Sequence, residues 1–243
     1  TERQKIQNQL EANVKELSRL SLVLAKTNSS LSERNQELDQ FAYVASHDLK
    51  APLRAISNLS VWLEEDLADN LPAENKHQMQ LLRQRVNRME NLINGLLDYS
   101  RVGRVETPLE TVNVDILLQE IIDSLDPLTI FTIEIASEMP TLTTKRILIR
   151  QVFANLISNG IKHHPHNDGF IDISVRDIGE FYQFTVSDDG AGISPEFHHK
   201  IFDIFQTLSA RDTKESTGVG LAIVKKIVES MGGSIKIESL MGE

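Results

Sequence analysis

A histidine and a carboxylate stand side by side at His47 and Asp48, inside the stretch "FAYVASHDLKAPLR" of residues 41–54. A carboxylate beside an imidazole can hold the proton of one ring nitrogen and leave the other bare as a nucleophile. Phe41, Ala45 and Leu49 recur at helical spacing through the same stretch. His47 lies two residues beyond Ala45, about 200° around a helix, which puts it away from that apolar stripe. An exposed helical histidine is usually only a surface residue; the company it keeps sets this one apart. Pro52 lacks an N–H, so the carbonyl of Asp48 loses its helical partner and the helix is expected to bend there.

Three further stretches carry polar residues or glycines in ordered spacing. "RQVFANLISNGIKHH" puts Asn155, Asn159 and Lys162 on one helical face, which also suits an ordinary amphipathic helix. "VSDDGAGI" ends a strand-like run with Asp188, Gly190 and Gly192, and by itself is a common turn. "ESTGVGLAIVKKIVE" opens a helix after Gly218 and Gly220, where unpaired N–H groups suit phosphate oxygens. "HHPH" at 163–166 has too few ligands for a structural zinc site, and the surface pair His198–His199 is given no role.

Elements that position these residues can be drawn from periodicity. Leucine recurs at 10, 17, 24, 31 and 38, a seven-residue repeat that predicts a coiled coil. In one frame Val14, Ser21, Asn28 and Asn35 pair with those leucines; in another Ile6, Leu20, Thr27 and Phe41 do, and both frames stay open. The stripe continues through Pro52, Ile56, Leu59 and Leu63 to a turn at Asn70 and Pro72. A second helix is predicted from Ala73 to Val102 on Met79, Leu82, Val86, Met89, Leu92, Ile93, Leu96 and Leu97. The two make an antiparallel hairpin, and two hairpins make a four-helix bundle. "RVGRVETPLE" reads as a linker. Strand-like runs "TVNV", "FTIEIA", "GFIDISVRD" and "FYQFTVSD" then alternate with helical patterns near 115–125, 145–163 and 219–231, as in an α/β domain.

The 243 residues carry 25 basic and 35 acidic side chains, a net charge of -10, which argues against a nucleic-acid surface. No apolar run reaches the ~18 residues of a membrane span. No signal peptide is visible. Cysteine is absent, which excludes disulfides and thiolate metal sites and fits a reducing cytoplasm. The first residues already read as mid-helix, so an upstream segment is expected.

"FAYVASHDLKAPLRAI" resembles the phosphoacceptor box of sensor histidine kinases of two-component signalling, most of all those coupled to phytochrome-like or other cytoplasmic sensors. The later stretches resemble the boxes of the same family's ATP-binding domain, shared with gyrase and Hsp90. That resemblance implies an N-terminal coiled-coil helix (1–40), a dimerisation and histidine phosphotransfer domain (41–102) and an α/β sandwich catalytic ATP-binding domain (103–243). It implies that His47, with Asp48 beside it, accepts phosphate from ATP, that Asn159 ligates Mg²⁺ with Asn155 in support, and that Lys162 reaches the phosphates. His163 stands where the family often places a ring near the nucleotide. Asp188 would bind the adenine amino group, with Gly190, Gly192 and Ile193 beside it. Phe202 and Phe205, in "HKIFDIFQTLSARDTK", resemble the F box, and Thr217, Gly218, Gly220 and Leu221 resemble the second glycine box. Ser216 replaces a usual glycine, and the long segment between the boxes suggests a lid.

By the same resemblance the partners are a second copy of the chain, the receiver domain of a response regulator and an upstream sensor domain. The family usually adds one more strand after "SIKIESLMGE", so the sheet is expected to lack its last member. In many family members the position four after the histidine is Thr or Asn, which orients a water for dephosphorylation; here it is Ala51. A non-catalytic dimeric scaffold and a gyrase-type ATPase are the competing readings. Intact Asn159, Lys162 and Asp188 speak against the first, and the second has no need of His47.

Overall fold

The computed structural model describes residues 2–104, 107–125, 130–166, 168–207 and 217–241. The chain forms two compact units, Thr1–Leu49 and Lys50–Glu243. In the first, helix α1 begins at Glu2 and presents Leu10, Leu17, Leu24 and Leu31 to solvent, each more than half exposed. A single helix has nothing on which to bury such a stripe.

Helix α1 (Glu2–Leu67) runs on into the second unit and keeps helical geometry through Pro52. A short 3₁₀ turn at Ala68–Asn70, with Ala68 at φ 34°, reverses the chain into α2 (Ala73–Arg101), one residue short of its predicted end. The hairpin is antiparallel: Arg54 Nε lies 3.2 Å from Glu90 Oε1, and Arg83 Nη1 lies 2.6 Å from Glu64 Oε2. Leu53 and Ser60 are buried on α1, and Val86 and Leu97 on α2. The predicted stripe divides here. Ile56, Leu59 and Leu63, with Leu82, Met89 and Leu96 of α2, remain exposed, so one apolar face closes the hairpin and the other is left open.

The segment read as a linker is partly core. Val102 is 5% exposed and packs with Leu148, Val219, Ile223 and Ile227. Residues 105–106 lie outside the described residues.

The α/β part follows in the order β1 (Glu110–Asn113), α3 (Val114–Leu125), β2 (Ile130–Ile135), β3 (Thr141–Thr144), α4 (Arg146–His163), β4 (Asp168–Asp177), β5 (Tyr182–Asp188) and α5 (Gly220–Ser230). Asn113 caps α3, its Oδ1 accepting the Ile116 N–H at 3.1 Å. Strands β1 and β3 form an antiparallel pair. In the larger sheet β4 is central, parallel to β2 and antiparallel to β5. Ile171 and Ile173 of β4 point to one face and are fully buried, while Phe170, Asp172, Ser174 and Arg176 alternate on the other. That apolar face packs with Leu117, Leu118 and Ile121 of α3 and Ile149, Phe153 and Ile157 of α4.

Every predicted helix and strand of this region is present, and β3, "TLTT", is the strand that the sequence reading missed. Beyond α5 no strand forms among the described residues. Residues 233–240 nevertheless alternate in burial, with Ile235, Ile237 and Ser239 half-buried.

Phe153, 2% exposed, meets Phe184 of β5 edge-on at 5.3 Å. Phe153→Ala is expected to destabilise the unit by about 3–5 kcal/mol, measured by urea unfolding followed by circular dichroism.

Candidate functional site

Helix α4 carries two faces into two cores. Ile149, Phe153 and Ile157 face the sheet, while Leu148 and Val152 pack toward α5. Asn155 and Asn159 continue that second stripe one and two turns on, where α5 begins. The approach is close: a Cβ added to Gly220 would sit 2.8 Å from Asn155 Oδ1 and 3.9 Å from Asn159 Nδ2. Only glycine lets the first turn of α5 come so near. Asn155 Nδ2 donates to the Gln151 carbonyl at 2.8 Å, which turns its oxygen toward the start of α5. Two amide groups therefore face the N-terminal turn of a helix, a combination of hard oxygens and free N–H groups suited to a phosphate–metal pair. Lys162 and His163 are exposed in the last turn of α4.

Asp188, the last residue of β5, sits beside the same helix. A Cβ on Gly160 would come within 3.5 Å of Asp188 Cβ. Asp188 Oδ1 accepts the Gly190 N–H at 3.0 Å, and a Cβ on Gly190 would strike that oxygen at 2.6 Å. Gly192 has φ 72°, and a Cβ there would meet the Leu240 carbonyl. The Ile193 N–H donates to Ser239 Oγ at 2.8 Å, so the segment after α5 braces this loop. His198, which the sequence reading gave no role, has its Nε2 2.9 Å from the Ile193 carbonyl and holds the loop's other side.

The F-box and glycine-box residues clasp each other. The Phe205 N–H donates to the Gly218 carbonyl at 2.9 Å. Phe205 (φ 68°) and Gly218 (φ 65°) both take left-handed geometry, which is strained for the phenylalanine. Phe202 is half-buried, with Lys225 Nζ 6.0 Å above its ring. Thr217 and Leu221 flank Gly218 and Gly220 and are half-buried. Residues 208–216, which include Ser216 and part of the segment expected to form a lid, lie outside the described residues.

Two neighbours of this site escaped the sequence reading. His164 is buried, and its Nε2 lies 3.1 Å from Asp189 Oδ1. The Phe170 N–H donates to the same carboxylate oxygen at 2.7 Å. That bond first, then Asp189's own N–H and His164, hold the Asp189 carboxyl below the usual carboxylate range despite an opposing effect of desolvation. No spacing marks His164 for burial; the adjacent pair "DD" was the one available signal.

In the other unit His47 and Asp48 are well exposed, with His47 Nδ1 3.3 Å from Asp48 Oδ1. An ionised Asp48 favours a proton on that nitrogen and leaves Nε2 as the open one.

Comparison with known proteins follows the same division. Residues 37–104 match the family described as "His Kinase A (phospho-acceptor) domain", and residues 144–243 match "Histidine kinase-, DNA gyrase B-, and HSP90-like ATPase". The chain is 41% identical over 225 residues to cyanobacterial phytochrome B of Nostoc sp., covering 90% of this chain and 30% of that protein. It is 32% identical to the methanogenesis regulatory histidine kinase FilI of Methanothrix harundinacea, covering 95% of this chain and 27% of that one. It thus spans about 30% of the length of such curated relatives. The solved structure of full-length ShkA with AMPPNP has the same fold, at TM-score 0.62 and 24% identity over 84% of this chain and 43% of that one. Among the described residues no helix is long and apolar enough to cross a membrane. With a phospho-acceptor domain followed by an ATP-binding domain of this type, the chain belongs to the sensor histidine kinases of two-component signalling.

Proposed function

We propose that this chain is the kinase core of a cytoplasmic sensor protein, which phosphorylates its own His47 from Mg-ATP and passes the phosphoryl group to an aspartate of a response regulator. The observation that carries the reading is an exposed His47–Asp48 pair in a chain that also folds an Asn155–Asn159–Gly220 cradle. The three parts proposed are a signalling helix (1–40), a dimerisation and phosphotransfer domain (41–102) and a catalytic domain (103–243), with a sensor domain upstream.

Asp188 would accept a hydrogen bond from the adenine amino group, with Gly190, Gly192 and Ile193 passing close to the base. Phe202, Phe205, Thr217, Gly218 and Leu221 would line the remaining walls, and Lys162 and His163 would approach the phosphates. The cradle fits a metal: the Asn155 amide oxygen, a hard ligand, points at the position that a side chain on Gly220 would occupy. Asn159 with Asn155 would hold Mg²⁺ there, which when bound neutralises charge on the phosphate oxygens. His47 Nε2 attacks the γ-phosphorus in line, forming an N–P bond as the P–O bond to the β-phosphate breaks and ADP leaves. Asp48 steadies the Nδ1 proton throughout. Catalysis then rests on positioning and charge neutralisation.

The function is tested by incubating the protein with labelled Mg-ATP. Acid-labile, alkali-stable label is expected on the wild type and none on His47→Gln, while Asn159→Ala loses about 100-fold or more of the activity. Acid-labile label on His47→Gln would overturn the phosphoacceptor assignment. Absence of any label on the wild type would leave the scaffold reading standing, and ATP hydrolysis alone the gyrase-type one.

The open apolar face of Ile56, Leu59, Leu63, Leu82, Met89 and Leu96 supports a homodimer closing as a four-helix bundle. Removing residues 1–36 is expected to weaken the dimer without abolishing it. Sedimentation of the whole chain as a monomer at micromolar concentration contradicts this.

Ala51 offers only a methyl group one turn after His47, and a methyl group orients no water. The protein is therefore expected to be kinase-biased. On a His47→Gln background, which blocks reverse transfer, phosphorylated cognate regulator should decay no faster than alone. Ala51→Thr should accelerate the decay; rapid decay without it refutes the account.

A further inference from the structure

His164 follows the last residue of α4 and is more than nine-tenths buried. Its Nδ1 lies 3.2 Å from the His166 backbone nitrogen and 3.0 Å from the His166 carbonyl oxygen, and the ring meets Phe131 of β2 edge-on at 5.3 Å. A Cβ on Gly169 would come within 3.0 Å of His164 Nε2, and one on Gly190 within 3.7 Å of Cδ2. The ring thus fills a slot between the start of β4 and the loop after β5. A side chain on Gly169 would crowd the ring, whereas one on Gly190 would only touch it.

At the mouth of that slot, Nε2 lies 3.1 Å from Asp189 Oδ1. The carboxylate also accepts the Phe170 N–H at 2.7 Å, and the Asp189 N–H donates back to the Phe170 carbonyl at 3.2 Å. A carboxylate facing Nε2 favours a proton on that nitrogen. Asp189 is therefore held from two sides, by the edge of β4 and by the end of α4. Its neighbours are the two residues whose mutual bond sets the Asp188 carboxylate, the Gly190 N–H donating to Asp188 Oδ1 at 3.0 Å. Release of Asp189 frees the peptides on both sides of it, and with them the direction in which Asp188 points. An error of about 1 Å in such a group is costly.

We propose that His164 is a positioning residue of the nucleotide site: through Asp189 it fixes the loop that presents Asp188 to the base, and so sets the preference for adenine over guanine nucleotides. This rests on the reading of Asp188 as the acceptor of the adenine amino group. Guanine carries an oxygen at the corresponding ring position, which a carboxylate in that orientation repels. Discrimination then depends on how firmly the carboxylate is aimed.

The test is calorimetric titration of ADP and GDP against the whole chain, with thermal melting alongside. His164→Ala is expected to weaken ADP about tenfold with little effect on GDP, so the ratio of the two affinities falls about tenfold. His164→Gln, which retains an N–H donor, should recover most of the ratio; a loss of packing alone would lower both affinities together. Should His164→Ala fail to fold, Asp189→Asn at the more exposed partner reads the same ratio, with a severalfold fall expected. A folded His164→Ala or Asp189→Asn protein with the wild-type ratio overturns the proposal. Asp188→Asn separates the two levels: if it collapses the ratio while His164→Ala does not, only the positioning role falls. If Asp188→Asn leaves the ratio intact, the adenine reading falls and the positioning role with it.

Discussion

Helix α4 must satisfy two neighbours at once, and most of this fold follows from that requirement. One stripe, Ile149, Phe153 and Ile157, seals the sheet. The other starts apolar at Leu148 and Val152, where it packs with α5, and turns polar at Asn155 and Asn159. The change occurs where α5 begins, so the first turn of one helix is pressed onto the amides of the other. Gly220 is the concession that permits it, since a methyl group there would strike Asn155. The helix lost to such a glycine costs about 1 kcal/mol at most, and less at a helix start, where little is yet ordered.

The same helix ends beside the loop that follows β5. Gly160 lets it pass Asp188, and His164 reaches Asp189 just after its last turn. A rigid rod therefore spans the distance between the polar cradle and the Asp188 loop. The site is built on regular elements, and the loops are tied down by backbone groups: Ile193 to Ser239, His198 to Ile193, Phe205 to Gly218. Sites supported in this way hold geometry better than sites on free loops.

Much of this was legible in the sequence because periodicity and punctuation agree. The bounds of α2 and α4 follow their apolar repeats, and the boundaries of β4 and β5 follow alternation. Of the polar residues singled out in α4, Asn155 and Asn159 do face α5, and Asp188 does meet Gly190. Three things were hidden, each for a non-local reason. Strand β3 is four residues, three of them threonine, and owes its form to pairing with β1. The stripe on α1 identified apolar residues but not which are covered: its members Ile56 and Leu63 are exposed, whereas Leu53, outside the stripe, is buried. A period tells which residues share a face and leaves open what covers it. His164 stood out only within "HHPH", as a weak zinc candidate, because its slot is made by Phe131 and Gly169, distant in the chain.

Gly95 lies in the interior of α2, where glycine is a poor helix former. A Cβ there would stand 3.1–3.2 Å from all three side-chain carbons of Val219, which is itself 1% exposed and sits between Gly218 and Gly220. Nearby, Lys226 of α5 donates to the Tyr99 carbonyl at 2.6 Å and lies 4.2 Å from the centre of its ring. Position 95 and position 219 thus share a single volume. Among natural relatives that keep this contact, a larger residue at 95 must be matched by a smaller one at 219, and the pair should drift together through evolution although each belongs to a different domain of the kinase.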